Sequence, residues 1–113
     1  MKILVRSATE GPAVIPVDGL PCGVPGLAIT RAVQASGYAI THVRSGFCVL
    51  WFPDTDPESI LAAALELAPL TDWTAPGGDI PRREIGPQVR AIGRDYGAEL
   101  YRADRQADPE DIQ

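Results

Sequence analysis

The stretch from Tyr38 to Ala68, YAITHVRSGFCVLWFPDTDPESILAAALELA, constrains the fold more than any other part of the chain. It reads as strand, tight turn, strand, cap and helix. Tyr38–Arg44 alternates and is rich in strand-forming Tyr, Ile, Thr and Val. Ser45-Gly46 predicts a two-residue hairpin turn, because glycine accepts the positive φ such turns need. Phe47–Phe52 is a continuous apolar run, too short for a helix and closed by Pro53. With that turn, Arg44 faces Phe47, His42 faces Val49 and Ile40 faces Trp51. One face then carries Tyr38, Ile40, His42, Phe47, Val49 and Trp51. The other carries Ala39, Thr41, Val43, Cys48, Leu50 and Phe52. Both are apolar enough to need cover, and a slip of one residue would exchange them.

The helix that follows has a clear start. Asp56 caps free N–H groups, Pro57 suits the first helical position, and Glu58 sits at the positive end of the helix dipole. Ile60, Leu61, Ala64, Leu65 and Ala68 form an apolar stripe at helical spacing. Pro69 stops the helix.

Around this unit the chain reads as follows. Lys2–Arg6 and Ala13–Val17 are short strands, with a turn at Thr9-Glu10-Gly11. Asp18–Gly26, DGLPCGVPG, is loop by its glycines and prolines. Leu27–Val33 reads as a strand paired with Tyr38–Arg44, with one or two helical turns as the alternative. Leu70–Pro81 is a connection in which Trp73 folds back to bury its ring and Gly77-Gly78 marks the tip. A second helix is expected from Pro87 to Arg102, with Ile85, Val89, Ile92, Tyr96 and Leu100 as its apolar stripe. Gly93 and Gly97 weaken that helix and mark either close packing or the approach of a partner. The predicted fold is α+β: a small antiparallel sheet of three to five strands packed by two helices. Residues 1–103 make a single domain, and residues 104–113 an acidic, flexible tail.

A chain of 113 residues supports one modest core. No run approaches the roughly 20 apolar residues of a membrane span. The opening MKILVRSATEG is too short in apolar residues for a signal-peptide core. The expected location is therefore cytoplasmic, without membrane contact. Cys22 and Cys48, far apart in such a chain, are expected to be reduced. The net charge is -5, which works against a phosphate backbone and lowers the standing of nucleic acid as a partner. The charge is uneven. Arg82, Arg83, Arg90, Arg94 and Arg102 outweigh Glu84, Asp95 and Glu99, whereas Asp104, Asp108, Glu110 and Asp111 outweigh Arg105.

No residue set fixes a reaction. His42 is the one histidine, a proton shuttle by type and a half-buried strand residue by position. Cys22 in Leu-Pro-Cys-Gly could pair with His42 as a nucleophile, or simply plug a gap. Asp54, Asp56 and Glu58 are spaced like a cation loop but lack its glycine and distant glutamate, so capping explains them better. Gly77-Gly78-Asp79 reads as a turn, not a phosphate loop. The arginines read as a solvated helix face or as contacts to an acidic partner. The hairpin aromatics read as core or as a partner anchor. No catalytic residue, metal ligand or cofactor is expected.

The segment GFCVLWFPDTDPESILAAALELA, ending three short strands, resembles the three-strand-and-helix arrangement of AP2-like DNA-binding domains over about a third of the chain. That resemblance implies a nucleic-acid face on Arg31, His42 and Arg44, which the acidic balance opposes. The leading expectation is a small, non-enzymatic accessory or inhibitory factor, of the kind phages and mobile elements encode, that binds a larger protein. Its expected contact residues are Tyr38, His42, Arg44, Phe47, Trp51, Arg90 and Arg94. The alternatives are a nucleic-acid-binding module using Arg31, Arg44, Arg90 and Arg94, an enzyme centred on Cys22 or His42, and a homodimer through an uncovered sheet face.

Overall fold

The structure, a computed structural model, describes residues 2–6, 14–32 and 36–99, with side chains from Gly19 onward. The fold is α+β, a meander of antiparallel strands with two helices. In order the elements are β1 (Lys2–Arg6), β2 (Val14–Pro21), β3 (Leu27–Arg31), β4 (Tyr38–His42), β5 (Cys48–Phe52), α1 (Pro57–Leu67) and α2 (Arg82–Asp95). Each strand pairs with the next in sequence. The turn expected at Thr9–Gly11, the end of the Leu27–Val33 segment at Val33, and the tail at 104–113 lie outside the described residues.

Leu27–Arg31 is a strand, as preferred over helix, with Ile29 opposite Ile40 and Leu27 opposite His42. β2 is longer than expected. Its first five residues pair with β1, and Gly19, Leu20 and Pro21 pair with Thr30, Ile29 and Ala28. The segment Asp18–Pro21 therefore belongs to a strand rather than to the loop read from its glycine and proline content. Pro21 is tolerated because it ends the strand.

The hairpin register differs from the predicted one. Residues 43–46 form a four-residue loop in which the Gly46 N–H donates to the His42 carbonyl and the His42 N–H to the Phe47 carbonyl. A register shift beyond Thr41 then sets Ile40 opposite Leu50 and Tyr38 opposite Phe52. Leu50 and Phe52 consequently share a face with Ile40, and Trp51 moves to the other. The slip puts the largest apolar pair where the helices cover it: Ile40 and Phe52 have no exposed surface. Ala28, Thr30, Ala39 and Thr41, on the opposite face, are also buried, so both faces are covered. The Thr30 and Thr41 hydroxyls satisfy each other at 2.9 Å.

α1 starts as read. Asp56 accepts from the Ser59 N–H at 3.0 Å and from its hydroxyl at 2.8 Å. The buried stripe is Ile60, Ala63, Ala64 and Leu67, rotated from the predicted one. Leu61 and Leu65 are exposed. The two alanines let the helix approach the sheet closely, which the bulkier pair would prevent. Trp73 is buried as expected, and its indole N–H donates to the Leu67 carbonyl at 2.8 Å, closing the helix C-terminus.

α2 begins five residues before the predicted start and ends at Asp95, with Pro87 inside it. Ile85 is buried, and Val89, Ile92 and Tyr96 pack against the core. Leu100 is not described. Gly93 explains the fit onto the sheet: a Cβ there would stand 2.8 Å from a methyl of Leu50. Gly97, at φ +86°, terminates the helix in the left-handed conformation, and the Ala98 N–H returns to the Gly93 carbonyl at 2.8 Å. Glu99 then bridges antiparallel to Trp51 at the outer edge of β5, its N–H donating to the Trp51 carbonyl at 2.8 Å.

Candidate functional site

The loop between β4 and β5, the short 3-10 turn Gly77–Asp79 and the first turn of α2 enclose an open groove of about 710 Å3. Its walls are Arg44, Ser45, Phe47, Gly77, Gly78, Ile80, Pro81, Arg82, Arg83 and Glu84. Among the described residues, three arginines and one glutamate line this space, Arg44 from the hairpin loop and Arg82, Arg83 and Glu84 from the first turn of α2. The Arg82 guanidinium lies over the Phe47 ring, 4.7 Å from its centre, a cation–π contact that holds the half-open ring in place. Arg44 donates to the Thr74 carbonyl at 3.3 Å.

The groove is shaped from below by His42. This residue is 3% exposed. Its Nε2 contacts the Ala75 carbonyl at 2.9 Å and its Nδ1 contacts the Ser45 hydroxyl at 2.7 Å, with the Ser45 N–H 3.3 Å from the same nitrogen. A neutral ring protonated on Nε2 satisfies every contact: it donates to Ala75 and accepts from Ser45. The Phe47 N–H in turn donates to Ser45 Oγ at 3.2 Å. The ring sits 6.4 Å from that of Trp73. His42 therefore ties the hairpin loop to the connection before α2. Gly77 allows the close approach, since a Cβ there would come within 2.9 Å of Ser45 Cβ.

Of the predicted contact residues, Arg44 and Phe47 line the groove, and His42 supports it. Tyr38 and Trp51 do not join them. Tyr38 packs against the core beside Phe52 at the far end of the sheet. Trp51, on the opposite face, donates its indole N–H to the Ser36 carbonyl at 2.8 Å. Arg90 and Arg94 are exposed further along α2, outside the groove lining. Cys22 donates to the Leu27 carbonyl at 3.4 Å, while both ring nitrogens of His42 contact Ser45 and Ala75, so the suggested pair of Cys22 and His42 is not formed. Cys22 and Cys48 are not joined in a disulfide. Among the described residues no three His, Cys, Asp or Glu side chains come together as metal ligands, and no helix is long and apolar enough to cross a membrane.

Arg82 and Arg83 were visible in the sequence as part of a basic cluster but stood outside the expected helix. What singles them out is their position. They occupy the first turn of α2, whose cap is Pro81, with no side chain bonding the helix start. Cations there oppose the helix dipole. Among the described residues neither arginine has a carboxylate partner within ion-pair distance. No family model matches the chain, and comparison with curated proteins and with solved structures finds no significant match.

Proposed function

We propose that this protein is a small, non-enzymatic interaction factor that seats an acidic segment of a larger protein in the arginine-lined groove. The observation that carries the reading is the placement of Arg82 and Arg83 on an uncapped helix start, across from Arg44, in a groove floored by Phe47. Such a groove offers carboxylates the forked donors of the guanidinium groups, and offers an apolar side chain the exposed part of the Phe47 ring. His42 is fully engaged in holding the walls, which supports a binding role for this region over an acid–base one.

The test is fluorescence anisotropy with a labelled peptide of alternating glutamate and leucine, run beside a labelled 20-nucleotide single strand of DNA at low salt. The expected result is saturable peptide binding that weakens as salt rises and is lost in the double variant Arg82→Ala/Arg83→Ala. Binding of the oligonucleotide but not the peptide would replace this reading with the nucleic-acid one.

A further inference from the structure

The groove has a candidate occupant within the same chain. The bridge between Trp51 and Glu99 is antiparallel. A chain leaving Glu99 in that sense runs back along β5 from Trp51 toward Phe47, and so toward the groove. Trp51 and Phe47 are four residues apart, or about 13 Å of strand. Residues 100–103 span that distance when extended, which leaves the ten residues 104–113, with a reach of up to about 33 Å. That segment, DRQADPEDIQ, carries Asp104, Asp108, Glu110 and Asp111 against Arg105. The groove carries Arg44, Arg82 and Arg83 against Glu84. Direction, reach and charge agree.

We propose that the acidic segment 104–113 occupies the arginine groove of its own chain and competes there with the acidic segment of a partner. The proposal rests on the reading of the groove as an acidic-segment site. It adds the regulation of that site. A tethered segment acts at an effective concentration in the millimolar range, so weak contacts suffice to hold it in place, and a partner must displace it.

The test uses the full chain. Cys48→Ser/Gln113→Cys leaves Cys22, which is 4% exposed, as the only other thiol, and a nitroxide is attached at position 113. Amide spectra with the nitroxide oxidised and reduced are compared. The expected result is selective broadening at Ser45, Phe47, Gly78, Arg82 and Arg83, abolished by Arg82→Ala/Arg83→Ala. Broadening absent from these amides, or spread evenly over the surface, would overturn the proposal.

A second arm titrates the glutamate–leucine peptide into the wild type and into a full chain carrying Asp104→Asn/Asp108→Asn/Glu110→Gln/Asp111→Asn. The proposal expects the neutralised chain to bind about two- to tenfold more tightly, and equal binding counts against it. The two readings fail separately. Groove broadening with no peptide binding to either chain would remove the partner reading and leave the tail contact standing. Peptide binding without groove broadening would do the reverse.

Discussion

The two helices begin in opposite ways. α1 opens with Asp56, which bonds both the N–H and the hydroxyl of Ser59, followed by Pro57 and Glu58. Each of these residues favours a helix start. α2 opens on Pro81 with no side-chain cap and places two arginines against the dipole. The first arrangement stabilises the fold. The second works mildly against it, offset in part by Glu84 in the same turn and by the contact of Arg82 with Phe47, and a helix start that breaks the local rule in this way fits a site shaped for something else. The positions of these ends agree with that contrast: α1 buries its stripe under the sheet, and the start of α2 forms one wall of the groove.

If the two ends serve separate purposes, damage to the first should cost stability and leave binding intact. Ile60 has no exposed surface and anchors α1 on the core. Ile60→Ala is expected to destabilise by about 2–5 kcal/mol. Its remaining folded fraction should bind the acidic peptide with wild-type affinity, as read by anisotropy at a temperature where both chains are folded. A folded Ile60→Ala chain that has lost binding would show that the two regions are coupled.

His42 is the link between them, belonging to the core by burial and to the groove by its bonds to Ser45 and Ala75. His42→Phe keeps the ring and removes both contacts. The expected loss is about 1–3 kcal/mol for the polar groups left unpaired. Peptide affinity should fall as well, because the loop bearing Arg44 and Phe47 loses its tie to residue 75. A drop in chemical-denaturation midpoint with unchanged affinity would confine His42 to the core.

How much of this was legible in the sequence follows the same division. Local rules placed α1's cap, the strand at Leu27–Arg31 and the burial of Trp73, because each depends on neighbours in sequence or on one large side chain. The hairpin register was not legible. Ser45-Gly46 satisfies a two-residue turn as well as it does the end of a four-residue loop, and the burial of Phe52 beside Ile40 decides between them. The stripe on α1 was misplaced by preferring leucine to alanine, whereas close approach to a sheet selects the small residues Ala63 and Ala64. The start of α2 was missed because Pro81-Arg82-Arg83 carries no capping signal. The same absence hid the groove: Arg44 and Phe47 could be named from the hairpin, but nothing in residue spacing brings residue 82 across from residue 44.

Reversing one charge at the start of α2 separates stability from function more sharply. Arg83→Glu replaces a cation with an anion at the positive end of the dipole. It should leave stability unchanged or raise it by less than about 1 kcal/mol. It should weaken peptide binding by roughly tenfold, as a charge-assisted contact turns into a repulsion. Arg83 is the better test than Arg82, whose guanidinium also holds Phe47. A variant that loses stability would mean that Arg83 serves the fold, and the contrast between the two helix starts would no longer hold.

The smallest expected effect concerns the well-capped end and depends on pH. The hydroxyl and then the backbone N–H of Ser59 hold the Asp56 carboxyl below the ordinary range for aspartate. A carboxyl depressed in the folded state binds its proton less readily there than in the unfolded chain. Its contribution to stability is therefore complete above the unfolded value near 3.8 and fades as pH falls through the lower folded value. Asp56→Ala removes the cap at every pH. The melting temperature of the wild type should exceed that of Asp56→Ala at pH 6, and the gap should narrow steadily below pH 4. Replacing Arg83 tests the other helix start under the same conditions: with no titrating group introduced by Arg83→Gln, its difference from the wild type should stay flat over that interval. A gap at Asp56 that persists unchanged to pH 2 would show that the neutral acid caps as well as the carboxylate, and that charge plays no part in setting α1 apart from α2.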